Sequence, residues 1–256
     1  MATASKLWAF DAPKIATPKG LIFPGGGDEI VTMPCGAFLI EHPRGLVLVD
    51  TMLDPAGQGD IPGRYGPLEW LFSEYLPEQT VQANLAKLGL SLGDVTHVVS
   101  SHLHFDHAGS LGLLGHAKLY VGRGEITHAM RPPRPDPFYD PRDVAGVDAY
   151  ATRFEVGQDH DLFDDGAVTL LHLPGHTPGQ LALLVRLPAQ NILLGCDIVH
   201  DIDAYHAEVP MMADYDTVTA VDSIRRAKLI VDATNARVII SHFTEPDVPI
   251  LPEYVC

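Results

Sequence analysis

Four short apolar segments of the sequence each lead, within a few residues, to a histidine or an aspartate. The segments are 95–100, 168–173, 191–194 and 237–241, and the polar residues that follow them are His102, His176, Asp197 and His242. Short apolar runs of this length are typical of buried β-strands. Residues at the ends of neighbouring strands meet at one rim of a layered sheet, where α/β proteins commonly have their active sites. The pattern therefore predicts a layered fold with a polar site at the strand ends.

The remaining sequence predicts a mixture of strands and helices. Further strands are predicted at 31–41, 46–50, 118–121 and 181–185, with residues 42–45 joining the first two as a hairpin. Helices are predicted at 78–90, 124–130 and 217–233. In the first helix, Val81, Leu85 and Leu88 are spaced by three and four residues, which is the period of an amphipathic helix. This mixture favours an α/β (α+β) layered fold, with residues 1–256 forming one domain.

The composition is that of a folded globular protein with an acidic surface. Hydrophobic residues make up 46% and charged residues 20% of the 256 residues, and the formal net charge is −16. That charge argues against a nucleic-acid or anionic-membrane partner, because either requires a basic surface. No apolar run approaches the roughly 18–20 residues that span a bilayer, and the N-terminal residues lack the apolar core of a secretory signal. We therefore expect a cytoplasmic protein that binds neither nucleic acid nor membrane.

Cysteine and histidine usage narrows the kind of metal site. Cys35, Cys196 and Cys256 are odd in number, far apart and without a C-x-x-C pair, so neither a disulfide framework nor a thiolate zinc site is expected. Thirteen histidines are unusual for a chain of this length. We expect five of them to be surface or hydrogen-bonded side chains rather than ligands, namely His116, His128, His160, His172 and His206.

The strongest motif is His-x-His-x-Asp-His at residues 102–107, directly after a predicted strand. In an extended segment the side chains of His102 and His104 point the same way, so both can approach one cation. A turn after the strand can then direct Asp106 and His107 toward a neighbouring point. One ion or two adjacent ions fit this spacing equally well. Imidazole and carboxylate ligands suit zinc, iron, manganese and cobalt, so the ligand types do not choose among them.

A histidine-rich surface loop is the alternative interpretation of this motif. Three further segments argue against that alternative. His176 lies in a Pro-Gly-His-Thr-Pro-Gly turn after one strand, Asp197 follows another, and His242 follows a third. A hydrophobic core alone would not require a histidine or an aspartate at the end of each strand.

This order of motifs resembles the metallo-β-lactamase superfamily, from the strand at 47–51 to His242, and within it the N-acyl homoserine lactonases. The His-x-His-Phe-Asp-His-x-Gly form of those lactonases appears at residues 102–109. The resemblance implies a four-layer αβ/βα sandwich that holds two divalent metal ions, with zinc favoured and iron, manganese or cobalt as alternatives. It implies one metal on His102, His104 and His176, a second on Asp106, His107 and His242, and Asp197 and a hydroxide bridging both. It also implies that Asp50 supports the ligands through hydrogen bonds.

The resemblance further implies a reaction. The bridging hydroxide would attack the lactone carbonyl of an N-acyl homoserine lactone, and Asp106 or His200 would protonate the leaving oxygen. No Gly-x-Ser-x-Gly element, which would indicate a serine nucleophile, is present. Hydrolysis of another ester, a thioester or a phosphotriester on the same site remains an alternative. A relative of the di-iron oxygen reductases is a third, although that class generally has more carboxylate ligands and a flavin domain.

The sequence departs from the lactonase pattern at one position. Many of these lactonases have a tyrosine three residues after the bridging aspartate, where this chain has His200. Tyr205 is nearby but out of register. His200 can still donate a hydrogen bond to substrate, with a different reach and pH dependence from those of a phenol.

Two other segments are candidates for the substrate pocket. The segment 131–141 contains five prolines together with Phe138 and Tyr139, and it is predicted to be a lid or pocket wall, or alternatively a dimer contact or an idle loop. Met211, Met212 and Tyr215 line an acyl pocket or belong to the core, with no preference between the two. The sequence leaves a homodimer open.

Overall fold

The computed structural model describes residues 2–242 and 248–251. Its strands are β1 (Lys6–Ala9), β2 (Lys14–Pro18), β3 (Ile30–Pro34), β4 (Phe38–His42), β5 (Gly45–Val49), β6 (Phe72–Glu74), β7 (Val95–Ser100), β8 (Lys118–Gly122), β9 (Thr152–Val156), β10 (His160–Asp161), β11 (Val168–His172), β12 (Leu181–Arg186), β13 (Asn191–Cys196) and β14 (Ala236–Ile240). Its helices are α1 (Lys19–Ile22), α2 (Ile61–Tyr65), α3 (Val81–Lys87), α4 (Phe105–Ala108), α5 (Glu125–Met130), α6 (Pro141–Ala145), α7 (Ile202–Ala207) and α8 (Thr217–Thr234). Short 3-10 turns occupy Pro55–Gly57, Gly66–Leu71, Leu92–Asp94, Leu111–Leu114 and Gly146–Ala149.

Within the described residues the strands form three sheets. The first has the order β1-β4-β5-β7-β8-β9, the second β10-β11-β12-β13-β14, and the smallest β3-β2-β6. In the first sheet β5, β7, β8 and β9 are parallel, and in the second β13 and β14 are parallel. The carboxyl ends of the parallel strands within each sheet therefore lie at a common edge.

The main core lies between the two large sheets. Alternate residues of one strand contribute to opposite faces, as Leu7 and Ala9 join the core between the sheets while Trp8 packs on the outer side. Successive side chains of a strand point to opposite faces, so this alternation is the expected one. Both faces of the first sheet are apolar because both are covered.

Helices cover the outer faces of the two sheets. Val81 and Leu85 of α3 and Val144 of α6 pack on the outer face of the first sheet. Ile224 and Ala227 of α8 pack with the second sheet, where α8 contacts β13 and β14. The arrangement is helix, sheet, sheet, helix, which confirms the predicted four-layer αβ/βα sandwich.

The predicted strand at 31–41 is wrong as a single element. The structure divides it into β3 and β4, which belong to different sheets. Pro34 has no backbone N–H to continue a ladder, and Cys35 instead donates its N–H to the carbonyl of Pro13. The hairpin of β4 and β5 is confirmed, with His42 paired to Gly45.

The helix predicted at 78–90 is shorter in the structure. Thr80 caps its start by accepting the backbone N–H of Ala83, and α3 ends at Lys87 before Gly89, whose φ is +72°. The helices α5 and α8 match their predicted positions within a residue.

Cys35 and Cys196 are buried thiols, and Cys256 lies outside the described residues. Among residues 2–242 and 248–251, no helix has both the length and the apolar character needed to cross a bilayer.

Candidate metal centre

The ends of five strands deliver the polar residues of the site to one rim of the sandwich. Asp50 follows β5, His102 follows β7 by two residues, Asp197 follows β13 directly, and His242 follows β14 by two residues. His176 lies in the turn after β11, next to Gly175. The φ of Gly175 is +148°, and a Cβ there would lie 2.4 Å from the Cα of Ala220 in α8, so only glycine lets this turn approach the helix.

Three histidines form the first cluster of the site. The Nε2 atom of His102 lies 3.0 Å from the Nδ1 atom of His104, and the Nε2 atom of His176 lies 3.1 Å from the same nitrogen. All three side chains are buried. His104 has an extended backbone just before α4, so the two imidazoles of the His-x-His pair face one point as the strand period predicts.

Asp106, His107 and His242 form the second cluster. The helix α4 is a single turn that brings Asp106 and His107 to this side of the site. The Oδ2 atom of Asp106 lies 3.6 Å from the Nε2 atom of His107 and 3.6 Å from the Nε2 atom of His242. These three residues are also buried.

Asp197 lies between the two clusters and faces both. Its Oδ2 atom is 3.1 Å from the Nε2 atom of His242 and 3.3 Å from that of His107. The same oxygen is 3.9 Å from the Nε2 atom of His102 and 3.8 Å from that of His176. The structure thus brings all seven predicted ligand residues together around this carboxylate.

The donor atoms fit divalent cations. Four overlapping groups of three side chains present ligand atoms within 4.8 Å of one another: His102, His104 and His176; His102, His107 and Asp197; Asp106, His107 and His242; and His176, Asp197 and His200. The Nε2 atom of His107 and the Oδ1 atom of Asp197 are buried without a hydrogen-bond partner among the described residues. Leaving such atoms unpaired is costly, whereas a bound cation would satisfy both. Imidazole with carboxylate is a ligand set that zinc, iron, manganese and cobalt accept.

Outer hydrogen bonds fix the orientation of the histidines. Asp50 accepts hydrogen bonds from His107 Nδ1 at 2.9 Å and from the hydroxyl and the backbone N–H of Ser101 at 2.8 and 2.7 Å. The Ser101 hydroxyl also lies 3.0 Å from His102 Nδ1. Partners of this kind fix the tautomer of an imidazole and leave its other nitrogen available to a cation.

The histidines supplied by the second sheet have their own outer partners. His176 Nδ1 lies 2.9 Å from Asp214 Oδ1, and His242 Nδ1 lies 2.8 Å from the carbonyl oxygen of Pro34. A carboxylate and a carbonyl both accept, so in each ring Nδ1 donates and Nε2 faces the site as a lone pair.

Electrostatics favour the metal-binding forms of His102 and Asp197, but not that of every ligand. Burial and the neighbouring imidazoles of His107 and His104 lower the pKa of His102 well below its ordinary value, so this ring is neutral at pH 7. Burial opposes ionisation of Asp197, but the nearby imidazoles outweigh it and hold the pKa of Asp197 well below its ordinary value. Neutral imidazole and ionised carboxylate are the states that coordinate a metal. Burial opposes protonation of His107, yet the carboxylates of Asp197, Asp106 and Asp50 outweigh it and raise the pKa of His107, so this ring must release a proton when a cation binds.

His200 joins the site but differs from the other histidines. Its Nε2 atom lies 3.1 Å from Asp197 Oδ2, and its ring stacks on His242 with centroids 5.1 Å apart. Its Nδ1 atom is buried and has no hydrogen-bond partner among the described residues. In the part of the chain that the structure describes, no outer acceptor therefore fixes its tautomer, and Nε2 can carry a proton toward Asp197. Burial lowers its pKa, which keeps the ring neutral near pH 7.

Sequence reasoning missed two carboxylates of the site. Asp214 supports His176 and is itself held by the backbone N–H of Met211 at 2.9 Å. Glu125, at the start of α5, is fully buried beside the first cluster. Neither Asp214 nor Glu125 is part of a recognisable sequence motif, and only the fold brings them near the histidines. The five histidines expected to be non-ligands lie outside the groups of potential metal ligands among the described residues.

An apolar cleft of about 430 Å³ opens onto the site. Both clusters contribute to its floor, and its walls include Leu21, Ile22, Met33, Trp70, Met211 and Met212. Met212 is 76% exposed and Trp70 58% exposed, so both lie at the mouth. Met211 and Met212 both line this cleft, and the exposure of Met212 excludes it from the core, whereas Met211 also packs against a cluster of buried apolar side chains. Tyr215 lines a neighbouring cavity instead.

The proline-rich segment forms a packed wall of this cleft rather than an idle loop. The backbone N–H of Phe105 donates to the carbonyl of Phe138 at 2.8 Å, and the ring of Tyr139 lies 4.6 Å from that of His104. Asp140, at the end of the segment, pairs with the buried guanidinium of Arg64. The segment also lines that neighbouring cavity, whose volume is about 250 Å³.

Comparisons with known proteins agree with this geometry. A family model of the metallo-β-lactamase superfamily matches residues 31–242. The N-acyl homoserine lactonase AttM of Azorhizobium caulinodans is 30% identical over 236 residues, covering 87% of this chain and 85% of that protein. An N-acyl homoserine lactonase of a Bacillus species is 29% identical, covering 89% of both chains. A solved N-acyl homoserine lactone hydrolase with its product N-hexanoyl-L-homoserine at the catalytic metal centre shares the fold, with a TM-score of 0.84 and 24% identity, covering 99% of this chain and 100% of that one. This chain belongs to the metallo-β-lactamase superfamily.

Proposed function

We propose that this protein is a metal-dependent hydrolase that opens the lactone ring of N-acyl homoserine lactones. The observation that carries the proposal is the pair of buried ligand clusters that share Asp197 at the floor of an apolar cleft. The similar proteins from Azorhizobium and Bacillus, which are named N-acyl homoserine lactonases, support the same substrate.

The residues fit two divalent ions, with zinc favoured and iron, manganese or cobalt as alternatives. His102, His104 and His176 would hold one ion, Asp106, His107 and His242 the other, and Asp197 would contribute to both. Bound divalent cations polarise a carbonyl and lower the pKa of water toward about 7, so hydroxide is available at neutral pH.

The shape of the cleft suits a substrate with a polar ring and an apolar chain. The lactone ring would lie at the floor, against the ligand clusters, and the acyl chain would lie along the apolar wall that includes Ile22, Trp70 and Met211. Burying the chain contributes roughly 0.8 kcal/mol per CH₂ group. The buried floor restricts access of bulk water to the reacting carbonyl.

Asp106 or His200 would deliver the proton to the leaving oxygen. Both line the cleft. We favour His200, because its Nε2 atom lies 3.1 Å from the shared carboxylate of Asp197 and because the predicted ligand set includes Asp106 but not His200. The neutral ring of His200 would act as a relay: it would take up the proton that the attacking oxygen releases and pass it to the leaving oxygen, so that the ring returns to its neutral form. No group among the described residues holds a proton on its Nδ1 atom.

A second candidate function is hydrolysis of another ester, a thioester or a phosphotriester on the same site. One observation keeps it open: His200 stands where many lactonases have a tyrosine, so the group that contacts the substrate oxygen has a different length and acidity.

A substrate panel tests the proposal. Purified protein loaded with zinc would be assayed against acyl homoserine lactones of several chain lengths, aryl esters, thioesters and phosphotriesters, with metal content measured on the same samples. The proposal expects the highest kcat/KM for a lactone. A preference for a thioester or phosphotriester would favour the second candidate, and no hydrolysis by fully loaded protein would contradict both.

A further inference from the structure

Glu125 is a fully buried carboxylate. It belongs to neither ligand cluster, and the fold alone does not explain it. Its side chain has no exposed surface, and no basic side chain among the described residues forms a salt bridge with it. A carboxylate removed from water without a counter-charge is costly unless donors satisfy its oxygens. The structure supplies such donors from three separate segments.

The three donors lie at the first ligand cluster and at the pocket wall. Glu125 Oε1 accepts the backbone N–H of Leu103 and the hydroxyl of Tyr139, each at 3.0 Å. Glu125 Oε2 accepts the backbone N–H of Gly179, also at 3.0 Å. Leu103 separates His102 from His104, and Gly179 closes the turn that presents His176. One carboxylate therefore ties together the segments that carry all three members of the first cluster.

Glycines bring Glu125 into this position. A Cβ on Gly179 would lie 2.4 Å from the Cβ of Glu125, and a Cβ on Gly122, at the end of β8, would lie 1.6 Å from the carbonyl oxygen of Gly179. Gly124, just before α5, has a φ of +87° that favours glycine. Glycine at positions 122 and 179 therefore allows the start of α5 to approach the turn that contains His176.

The second cluster is oriented by other groups. Asp50 holds His107, and the carbonyl of Pro34 holds His242. None of the hydrogen-bond donors to Glu125 belongs to Asp106, His107 or His242. A change at Glu125 should therefore affect one ligand cluster and spare the other.

We propose that Glu125 is a positioning residue that sets the geometry of the His102, His104 and His176 cluster and couples it to the pocket wall through Tyr139. This inference rests on the metal-binding function proposed above. The coupling runs through the Tyr139 ring, which contacts His104 edge-on while its hydroxyl is bonded to Glu125. Tyr139 lines the neighbouring cavity and directly follows Phe138, which lines the cleft, so the same carboxylate holds the segment that forms this wall and the ligands of one cation.

Glu125→Gln is the most direct test. The amide has one acceptor oxygen in place of two, so its NH₂ group must face a donor and leave a backbone N–H unpaired. Changes to outer partners of metal ligands cost roughly 10–100-fold in affinity, so one of the two cations should leave about tenfold faster or more. The other cation should leave at the wild-type rate.

The measurements are made on protein loaded with cobalt(II) or zinc. Metal release into a chelator is followed in time, the visible spectrum of the cobalt form reports ligand geometry, and kcat and KM are measured separately. The control is Asp161→Asn, which replaces another carboxylate that accepts two backbone N–H groups, from Phe163 and Gly166. Asp161 precedes the start of β11, at the opposite end of that strand from His176, so its release kinetics should match the wild type.

Tyr139→Phe keeps the test decisive if the glutamine variant does not fold. It removes one donor to Glu125 and leaves both backbone donors, so the same cation should be released faster by a smaller factor, and KM should rise more than kcat falls. Metal release at the wild-type rate in both variants would overturn the inference. If the glutamine variant does not fold, release at the wild-type rate in Tyr139→Phe alone would overturn it. Equal acceleration of release for both cations would also overturn it. Wild-type protein that binds no metal would instead contradict the proposed function.

Discussion

At the scale of single residues, Asp197 has the most demanding role, because one of its oxygens faces histidines of both clusters. We expect Asp197→Asn to lower metal content and activity together, since an amide offers one neutral acceptor in place of a charged bridging group. The loss of activity should exceed the roughly 10–100-fold that changes to outer partners cause. Metal analysis and lactone hydrolysis on the same preparation measure both. A fully loaded and fully active variant would rule out the bridging role.

Variants of His200 distinguish a role in metal binding from a role in proton transfer. His200→Ala should keep both metals while kcat falls by about 10²–10⁴-fold, the range typical of a positioned acid or base. His200→Tyr supplies the hydroxyl found at this position in many lactonases and should recover part of that loss. The assay is kcat as a function of pH with metal content measured in parallel. If the alanine variant loses metal in proportion to activity, His200 is a ligand and not the proton donor.

The backbone near the ligands is also unusual at the residue scale. Asp50 and Cys196 have φ values of 62° and 50°, in the left-handed region that residues with a Cβ rarely adopt. Such positions cost on the order of 1–3 kcal/mol each and are concentrated at functional sites. Each lies at a strand end where the chain must turn to direct a carboxylate into the site.

At the scale of elements, β7 both leads to the ligands and carries a buried titratable group. His97 is 7% exposed, and burial, with Lys118 and His42, lowers its pKa to about 4. The pKa of His97 in the folded state lies below the unfolded value of about 6.5, so the unfolded chain binds this proton more readily. His97 therefore leaves the free energy of unfolding unchanged above pH 6.5 and lowers it as pH falls from 6.5 toward 4.

We therefore expect His97→Phe to remove part of the acid sensitivity of the fold. Between pH 7.5 and 5 the wild type should lose about 2 kcal/mol more unfolding free energy than the variant. Denaturant unfolding of both proteins, stripped of metal so that ligand release does not contribute, measures the difference. Equal loss in the two proteins would show that His97 does not titrate in this range.

The proline-rich segment makes a second prediction at this scale. Phe138 lines the cleft and packs near His104, so Phe138→Ala should raise KM several-fold for a long-chain lactone while metal content is unchanged. The control is Phe154→Ala, because Phe154 stacks on Tyr120 and does not line the cleft. A matching rise in KM for the control would mean that the effect is general and not local to the wall.

The elements also show how far sequence reasoning can reach. Strand ends with His or Asp were predictable, because strand period and apolar runs are local properties, and the seven ligand candidates all meet in the structure. The break between β3 and β4 is not predicted, because the apolar run of residues 31–41 continues across Pro34, where the strand ladder is interrupted. Asp214 and Glu125 could not be predicted, because their importance comes from contacts with His176 and with Leu103 that are 38 and 22 residues away in sequence.

At the scale of the whole molecule, the net charge of −16 and the buried carboxylates of the site link stability to metal. Asp106 and Asp197 are both buried, and their Oδ2 atoms lie 3.6 and 3.1 Å from the Nε2 atom of His242, so without cations only imidazoles would balance these two carboxylates. A ligand at 100 times its Kd stabilises the folded state by about 2.7 kcal/mol. Chelation should therefore lower Tm by several degrees, and zinc should restore it. An unchanged Tm would mean that metal does not bind the folded state preferentially.

The proposed reaction depends on two cations that bind between the strand ends and make water nucleophilic there. Its most direct test is metal stoichiometry measured together with lactone turnover, in the wild type and in the double variant His102→Ala/His104→Ala. We expect about two metal ions per wild-type chain, and loss of one ion and of turnover in the double variant. Wild-type protein without stoichiometric metal, or a double variant with full turnover, would contradict it.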